Sequence, residues 1–235
     1  MTPPPGRRAE NRAHYESEIL RLGRAQLAEV GAAGLSLRAI ARELGVSSSA
    51  VYRYVASRDE LLTRLIIESF DALADAAEAA HRDIPSADLH ARFHAVGHAM
   101  RNWALAHPHD WALLYGSPVP GYVAPADQTN PPGTRVARLL IGILGHVVAR
   151  RKLPPAARRL TPGTAAIDSA RTMLADLGEL GEAIPPEHFL AGLDAWALLI
   201  AAISREVFEQ IGPIPGDPRD LFEATLARAD AMVIR

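Results

Sequence analysis

Residues 36–62 read SLRAIARELGVSSSAVYRYVASRDELL, and this stretch decides the fold. Ser36 is placed to cap a short helix in which Leu37, Ile40, Ala41 and Leu44 recur at helical spacing, and Gly45 supplies the positive φ that ends it. Ala41 is small where a second helix must cross closely, while Val46 and Val51 form an apolar plug between the two. Ser47 then caps the second helix, SSAVYRYV, whose exposed face carries Ser48, Ser49, Tyr52 and Arg53. Ser57 and Glu60 have capping-box spacing and open a third helix through LLTRLIIESFDALADAAEAA. The pattern predicts a helix-turn-helix. A second helix of this size fits the major groove of duplex DNA, where hydroxyl, phenol and guanidinium groups reach phosphates or base edges.

Upstream, Asn11 to Val30 reads as a helix with Tyr15, Ile19, Leu22, Leu27 and Val30 broadly on one side, broken by Gly31 and Gly34. This gives a three-helix head over residues 11–56, too small to be comfortable alone. Residues 1–10, with three prolines and Arg7-Arg8, read as a disordered arm. Downstream, residues 57–235 form a larger helical domain. Beyond Pro85 its segments 87–107, 108–116, 134–152, 164–180, 187–211 and 218–234 all show helical periodicity between proline- or glycine-rich joints. Pro162, Pro185, Pro186 and Pro218 stand where they would open helices. Residues 117–133, SPVPGYVAPADQTNPPG, read as one long irregular loop, a pocket wall or lid. The expected class is all-α: a helix-turn-helix domain followed by a helical-bundle regulatory and dimerisation domain.

The segment PEHFLAGLDAWALLIAAISREVF is apolar nearly all round from Phe189 to Ile203. Such a helix needs cover on two sides, which argues for a homodimer through Leu193, Trp196, Ala197, Ile200, Ile203 and Val207; a central helix buried inside one chain is the alternative.

The chain has 235 residues, 49% of them hydrophobic, and no run of 18 apolar residues or signal-peptide pattern, so a cytoplasmic protein without a membrane partner is expected. The absence of cysteine excludes disulfides, thiolate zinc sites and cysteine nucleophiles. Lys152 is the one lysine among 25 basic residues, so arginine does the cationic work of the head. The net charge of −2 divides unevenly: residues 1–64 hold ten Arg against seven Asp/Glu, a surplus of +3, leaving −5 for the rest. Positive charge therefore sits with the motif, and so small a surplus suits two heads acting together.

The head sequence GLSLRAIARELGVSSSAVYRYVASRDELL closely resembles the DNA-binding domain of TetR-type transcriptional regulators, over about residues 12–62. The segment HPHDWALLYGSPVPGYVAPADQT, residues 107–129, resembles the regulatory domain of a TetR subgroup that carries a Trp-x3-His-Gly signature in a later helix. Trp196 is present, but Ile200 and Ala201 stand where the histidine and glycine would fall. The resemblance implies a bacterial DNA-binding regulator, usually a repressor, that acts as a homodimer on a palindromic operator and is released by a small-molecule effector. It also implies that Arg38 reaches a base edge and that Ser36, Ser47, Tyr52, Tyr54 and Arg58 hold phosphates, with Ser48, Ser49 and Tyr52 facing the bases. Tyr54, Val55 and Arg58 replace the family's frequent histidine, phenylalanine and lysine. Either tyrosine could instead pack within the head.

For the effector, Phe93, Met100, Trp103, Trp111, Tyr115, Tyr122 and Met173 offer apolar and stacking surface, and His94, His98 and Asn102 on one helix offer polar orientation. Each is also an ordinary core candidate. His90, His94 and His98 recur at every fourth position, but a metal would need a further donor from His107, His109, Asp110 or His146, and none is assigned. No phosphate loop, nucleophile elbow, HExxH or di-iron Glu-x-x-His repeat occurs, so neither catalysis nor a cofactor is expected. A helical adaptor that binds only protein is the other class, separated by gel-shift binding to a short palindrome.

Overall fold

The computed structural model describes residues 6–150, 163–212 and 216–234. Among these residues the structure is helical and contains no strand. Two compact units are formed, residues 1–71 with 107–133 and residues 72–106 with 134–235. The boundary expected at residue 56 therefore differs from this partition, in which the head's unit also takes in residues 107–133.

In the first unit, α1 (Arg7–Val30) is followed by a 3-10 turn (Ala32–Gly34), α2 (Leu37–Glu43) and α3 (Ser48–Val51). Next come the first part of α4 (Arg58–His81), then α6 (Pro108–Tyr115) and α7 (Ala126–Gly133). The core joins Ile19 and Leu22 of α1, Leu37 and Ile40 of α2, Val51 and Val55, and Leu61, Leu62 and Leu65 of α4. Leu113, Val119 and Tyr122 pack against it, which is why residues 107–133 belong to this unit.

In the second unit, the last part of α4 packs with α5 (Leu89–Ala106), α8 (Arg135–Ala149), α9 (Thr164–Asp176), α10 (Glu179–Glu182), α11 (Pro186–Val207) and α12 (Pro218–Val233). Pro186 and Pro218 sit in the first turns, where a missing N–H costs nothing, and Asp217 caps α12 by accepting from Arg219 N at 2.8 Å. α11 is central, touching α12, α9, α8 and α5. A bidentate pair between Arg101 and Glu206, at 2.7 and 2.5 Å, ties α5 to α11.

Three expectations change. α1 begins at Arg7, so residues 7–10 are helix rather than arm; Gly6 O accepts from Ala9 N, and the Arg, Ala and Glu that follow are good helix formers. The arm's residues 1–5 lie outside the described residues, as do Pro162 and Lys152. Residues 126–133 form α7 rather than continuing the loop: Pro125 O accepts from Gln128 N and Thr129 N to start it, and Pro131 and Pro132 lie inside it, where they contribute no N–H donors. Finally, one face of α11 is covered by its own chain, with Ile203, Leu199 and Ala195 buried where α11 meets α5, α8, α9 and α12, while Ala197 and Ala201 on another face stay exposed.

Candidate DNA-binding face and regulatory cavity

The turn of the helix-turn-helix is built by hydrogen bonds that its sequence dictates. Ser36 Oγ accepts from Ala39 N at 3.3 Å to start α2. At the other end Gly45, at φ +66°, lets its own N–H reach Arg42 O at 3.1 Å and the Val46 N–H reach Ala41 O at 3.0 Å. Ser47 Oγ accepts from Ala50 N at 3.3 Å to start α3. α3 is a single regular turn rather than the eight-residue helix read from the sequence; the chain continues to Val55 through tighter bonds, Arg53 N to Ala50 O and Tyr54 N to Val51 O.

The frame is fixed from behind. The carboxamide of Gln26 on α1, 6% exposed, accepts from Ser36 N at 2.9 Å and so holds the start of α2. Arg64 on α4 donates to Tyr54 O at 2.9 Å and to Glu60 at 2.5 Å, anchoring the end of the recognition segment. Glu60 completes the cap of α4: its own N–H donates to Ser57 Oγ at 3.0 Å while its carboxylate accepts from Ala56 N at 2.7 Å. Burial works to raise the Glu60 pKa, but the Ala56 N–H and Arg64 outweigh it and hold the carboxyl below its ordinary value. At the far side, Asp110 of α6 accepts from Ser69 at 2.6 Å and from Arg24 at 3.2 Å, and Tyr122 pairs with Thr63 at 2.9 Å. Asp110 is thus a joint within this unit.

The face left outward carries Arg38 and Arg42 of α2 with Ser47, Ser49, Tyr52 and Arg53, all exposed. Ser48 is half-buried, and Tyr52 is 46% exposed. Among the described residues no ion pair or hydrogen bond engages the guanidiniums of Arg38, Arg42 and Arg53. The two tyrosines diverge: Tyr54 stacks on Tyr15 at 5.3 Å, with the Arg12 guanidinium 5.9 Å from its ring, whereas Tyr52 points away from the core. Arg58 turns inward, donating to Ala32 O at 2.9 Å and Ala33 O at 3.3 Å.

The second unit holds an apolar cavity of about 120 Å³ between α5, α8, α11 and α12. Phe93, Ile143, Leu144, Phe189, Ala195 and Val233 line it as buried residues; Leu140, Ile141, Leu193 and Trp196 are half-buried. Of the effector residues expected from the sequence, Phe93 alone lines this cavity. Met100 and Trp103 are buried in α5, Asn102 is exposed, and Met173 is 45% exposed on α9. Trp111, Tyr115 and Tyr122 belong to the other unit, where Trp111 and Tyr115 lie ring to ring at 4.3 Å and burial raises the Tyr115 pKa.

His94 and His98 face acids of α12 instead. His90 Nδ1 lies 2.8 Å from Asp230 Oδ2, His94 Nε2 lies 3.8 Å from Asp230 Oδ1, and His98 Nε2 lies 3.6 Å from Glu223. These contacts join α5 to α12, and no group of three or more His, Asp or Glu side chains among the described residues has metal-holding geometry. Burial lowers the His98 pKa, opposed by Glu223. Of the expected dimer residues, Ile203 is wholly buried within the chain, which removes it from any surface, and Leu193 and Trp196 line the cavity. Ala197 is exposed, with Ile200 and Val207 half-buried.

A family model described as bacterial regulatory proteins, tetR family, matches residues 19–65. One described as tetracyclin repressor-like, C-terminal domain, matches residues 93–229. The HTH-type transcriptional regulator Mb1846 of Mycobacterium bovis is 42% identical over 228 residues, covering 93% of this chain and 92% of its own. The chain belongs to the TetR family. The HTH-type transcriptional regulator Rv1816 of Mycobacterium tuberculosis is similar to the same extent, 42% over 228 residues, with 93% of this chain and 92% of its own covered. The crystal structure of SCO4313, described as a regulatory protein, superposes with a TM-score of 0.71 at 30% identity, over 97% of this chain and 98% of that one.

As a TetR-family chain it is a helix-turn-helix transcriptional regulator and not an enzyme. No helix among the described residues is long and apolar enough to cross a membrane. Within the TetR head, Gln26 and Arg64 are the positioning residues that the motif did not expose. Gln26 had a faint signal, standing one helical turn after the core residue Leu22; Arg42 could have been found as the partner of Arg38 at i+4.

Proposed function

We propose that this TetR-family regulator is a cytoplasmic repressor that binds an approximately two-fold symmetric operator as a homodimer and is released when a small molecule occupies the α5/α8/α11/α12 cavity. The observation that carries the DNA reading is the outward face of α2 and α3: unpaired Arg38, Arg42 and Arg53 and the exposed Tyr52, on a frame held by Gln26 and Arg64. Arg38, Ser49, Tyr52 and Arg53 contact bases or phosphates; Ser36 and Ser47 act first as helix caps, their Oγ atoms accepting from Ala39 N and Ala50 N, and each keeps its O–H to donate to a phosphate oxygen. Arg58 supports the head by capping the Ala32 and Ala33 carbonyls. Dimerisation uses the outward strip of α11 around Ala197 and Ala201 with adjoining α12, so that two α3 segments enter successive major grooves.

Effector and operator are coupled by roughly 1–3 kcal/mol, the usual size for such linkage. α4 contributes its first residues to one unit and its last to the other, and carries the coupling. Gel-shift titration of duplexes from beside the protein's own coding region tests the reading. Saturable binding of two chains to one inverted repeat supports it, and binding indifferent to sequence at every salt concentration refutes it.

A further inference from the structure

From the lining of the second unit's cavity we infer the chemical class of the effector: a small, uncharged hydrocarbon-like molecule, of the size of a monocyclic aromatic or short alkyl compound. This rests on the proposal that the cavity is the effector site. The side chains around it are Phe93, Phe189 and Trp196, the aliphatic residues of α8 and α11, and Val233, with no Asp, Glu, Lys, Arg or His among them. A carboxylate, phosphate or ammonium entering there would give up water and meet no opposite charge, the costliest exchange a cavity can impose. The titratable residues that the sequence offered for orientation are committed elsewhere, His94 toward Asp230 and His98 toward Glu223.

Size narrows the class. A cavity of about 150 Å³ lined by Leu, Ile and Phe stays dry and takes up benzene. The present space of about 120 Å³ is of the same order and of the same lining chemistry. Gly192 helps to keep it open: a Cβ there would meet Leu144 Cδ2 at 3.3 Å, within the wall. Half-buried Leu140, Ile141, Leu193 and Trp196 leave a route inward, while Phe93, Leu144 and Phe189 close the floor. Selectivity follows from the absence of charged side chains: compounds of equal shape are ranked by charge, neutral over ionised, and compounds of equal charge by length.

The test uses the full chain, with toluene as the neutral probe and benzoate as its ionised counterpart, followed by saturation-transfer NMR and the thermal midpoint. Toluene should give saturable transfer and raise the midpoint, and benzoate should do neither at the same concentration. Leu140→Trp, which fills the cavity from its mouth, should reduce toluene affinity at least tenfold. Leu144→Ala, which deepens it, should shift the preferred alkylbenzene toward a longer chain. Equal binding of benzoate, no binding of toluene, or toluene binding untouched by Leu140→Trp would each overturn the inference. So would loss of the toluene site when protein concentration drives self-association, since the mouth would then be an interface between copies.

Operator release separates the two layers of the argument. Toluene binding at this site that leaves operator affinity unchanged would keep the ligand class and remove the effector reading. Release by an ionised compound, with toluene inert, would keep the effector reading and remove the class.

Discussion

Replacing Gln26 by alanine probes the link between the α1 scaffold and the DNA-binding face. Gln26 Oε1 accepts the Ser36 N–H at 2.9 Å, and the residue is 6% exposed, so alanine leaves that N–H without its acceptor at the entrance to α2. An orphaned, largely buried donor costs roughly 1–3 kcal/mol, and the lost buried methylene about 0.8 kcal/mol more. A local destabilisation of roughly 2–4 kcal/mol should speed amide exchange by a factor of roughly 30 to 900, up to the limit set by global unfolding. The assay is hydrogen exchange resolved at Ile40, Ala41 and Leu44, with the amides of α9 as an internal reference in the other unit. Because Arg38 rides on α2, operator affinity should fall together with α2 protection. Unchanged protection of α2, or equal acceleration in α2 and α9, would refute the claim that this side chain holds the frame.

Arg38→Ala and Arg53→Ala should each weaken operator binding and lower the slope of log affinity against log salt by about 1 where the contact is to phosphate, without moving the thermal midpoint. Arg58→Ala should do the reverse, lowering the midpoint with little change in slope, because its guanidinium caps the Ala32 and Ala33 carbonyls. Glu60 titrates below its ordinary value of 4.5 in the fold, so its contribution is complete above that value and is lost as pH falls through the folded value; Glu60→Gln should flatten that acid limb in urea titrations. His98 is also shifted downward, mainly by burial, so folding favours its neutral form; stability should decline as pH drops below about 6.5, and less steeply in His98→Gln. Ala201→Glu on the outward strip of α11 should shift sedimentation toward single chains while helical content stays constant.

The head was legible because its signals are local. Ser36, Gly45, Ser47 and Ser57 each occupy a cap or turn that their own chemistry selects, so position follows from spacing. The length of α3 was not: beyond Val51 the segment is held by partners distant in sequence, Tyr54 O by Arg64 and the Tyr54 ring by Tyr15. The regulatory unit shows the limit more sharply. Aromatic and polar residues drew the eye to Trp111, Tyr115, His94 and His98, yet the cavity is made by aliphatic positions of α8 and α11 that look like any core. Periodicity finds which face of a helix is apolar but not whether an apolar partner fills the space opposite. The same ambiguity misplaced Ile203, which an all-apolar helix could bury equally in its own chain or against a second one. Residues 126–133 were hidden by Pro131 and Pro132, which in sequence read as helix breakers although both lie inside α7.

The central claim is that the outward face of α2 and α3 reads duplex DNA in symmetric pairs. In vitro selection from a randomised duplex library, run in parallel with the unaltered protein and with Tyr52→Ala, tests it most directly. An inverted repeat, with half-sites about one helical turn apart, should be enriched by the unaltered protein and blurred or lost in the variant. Enrichment of no sequence, or of the same sequence with equal strength by both proteins, would contradict it.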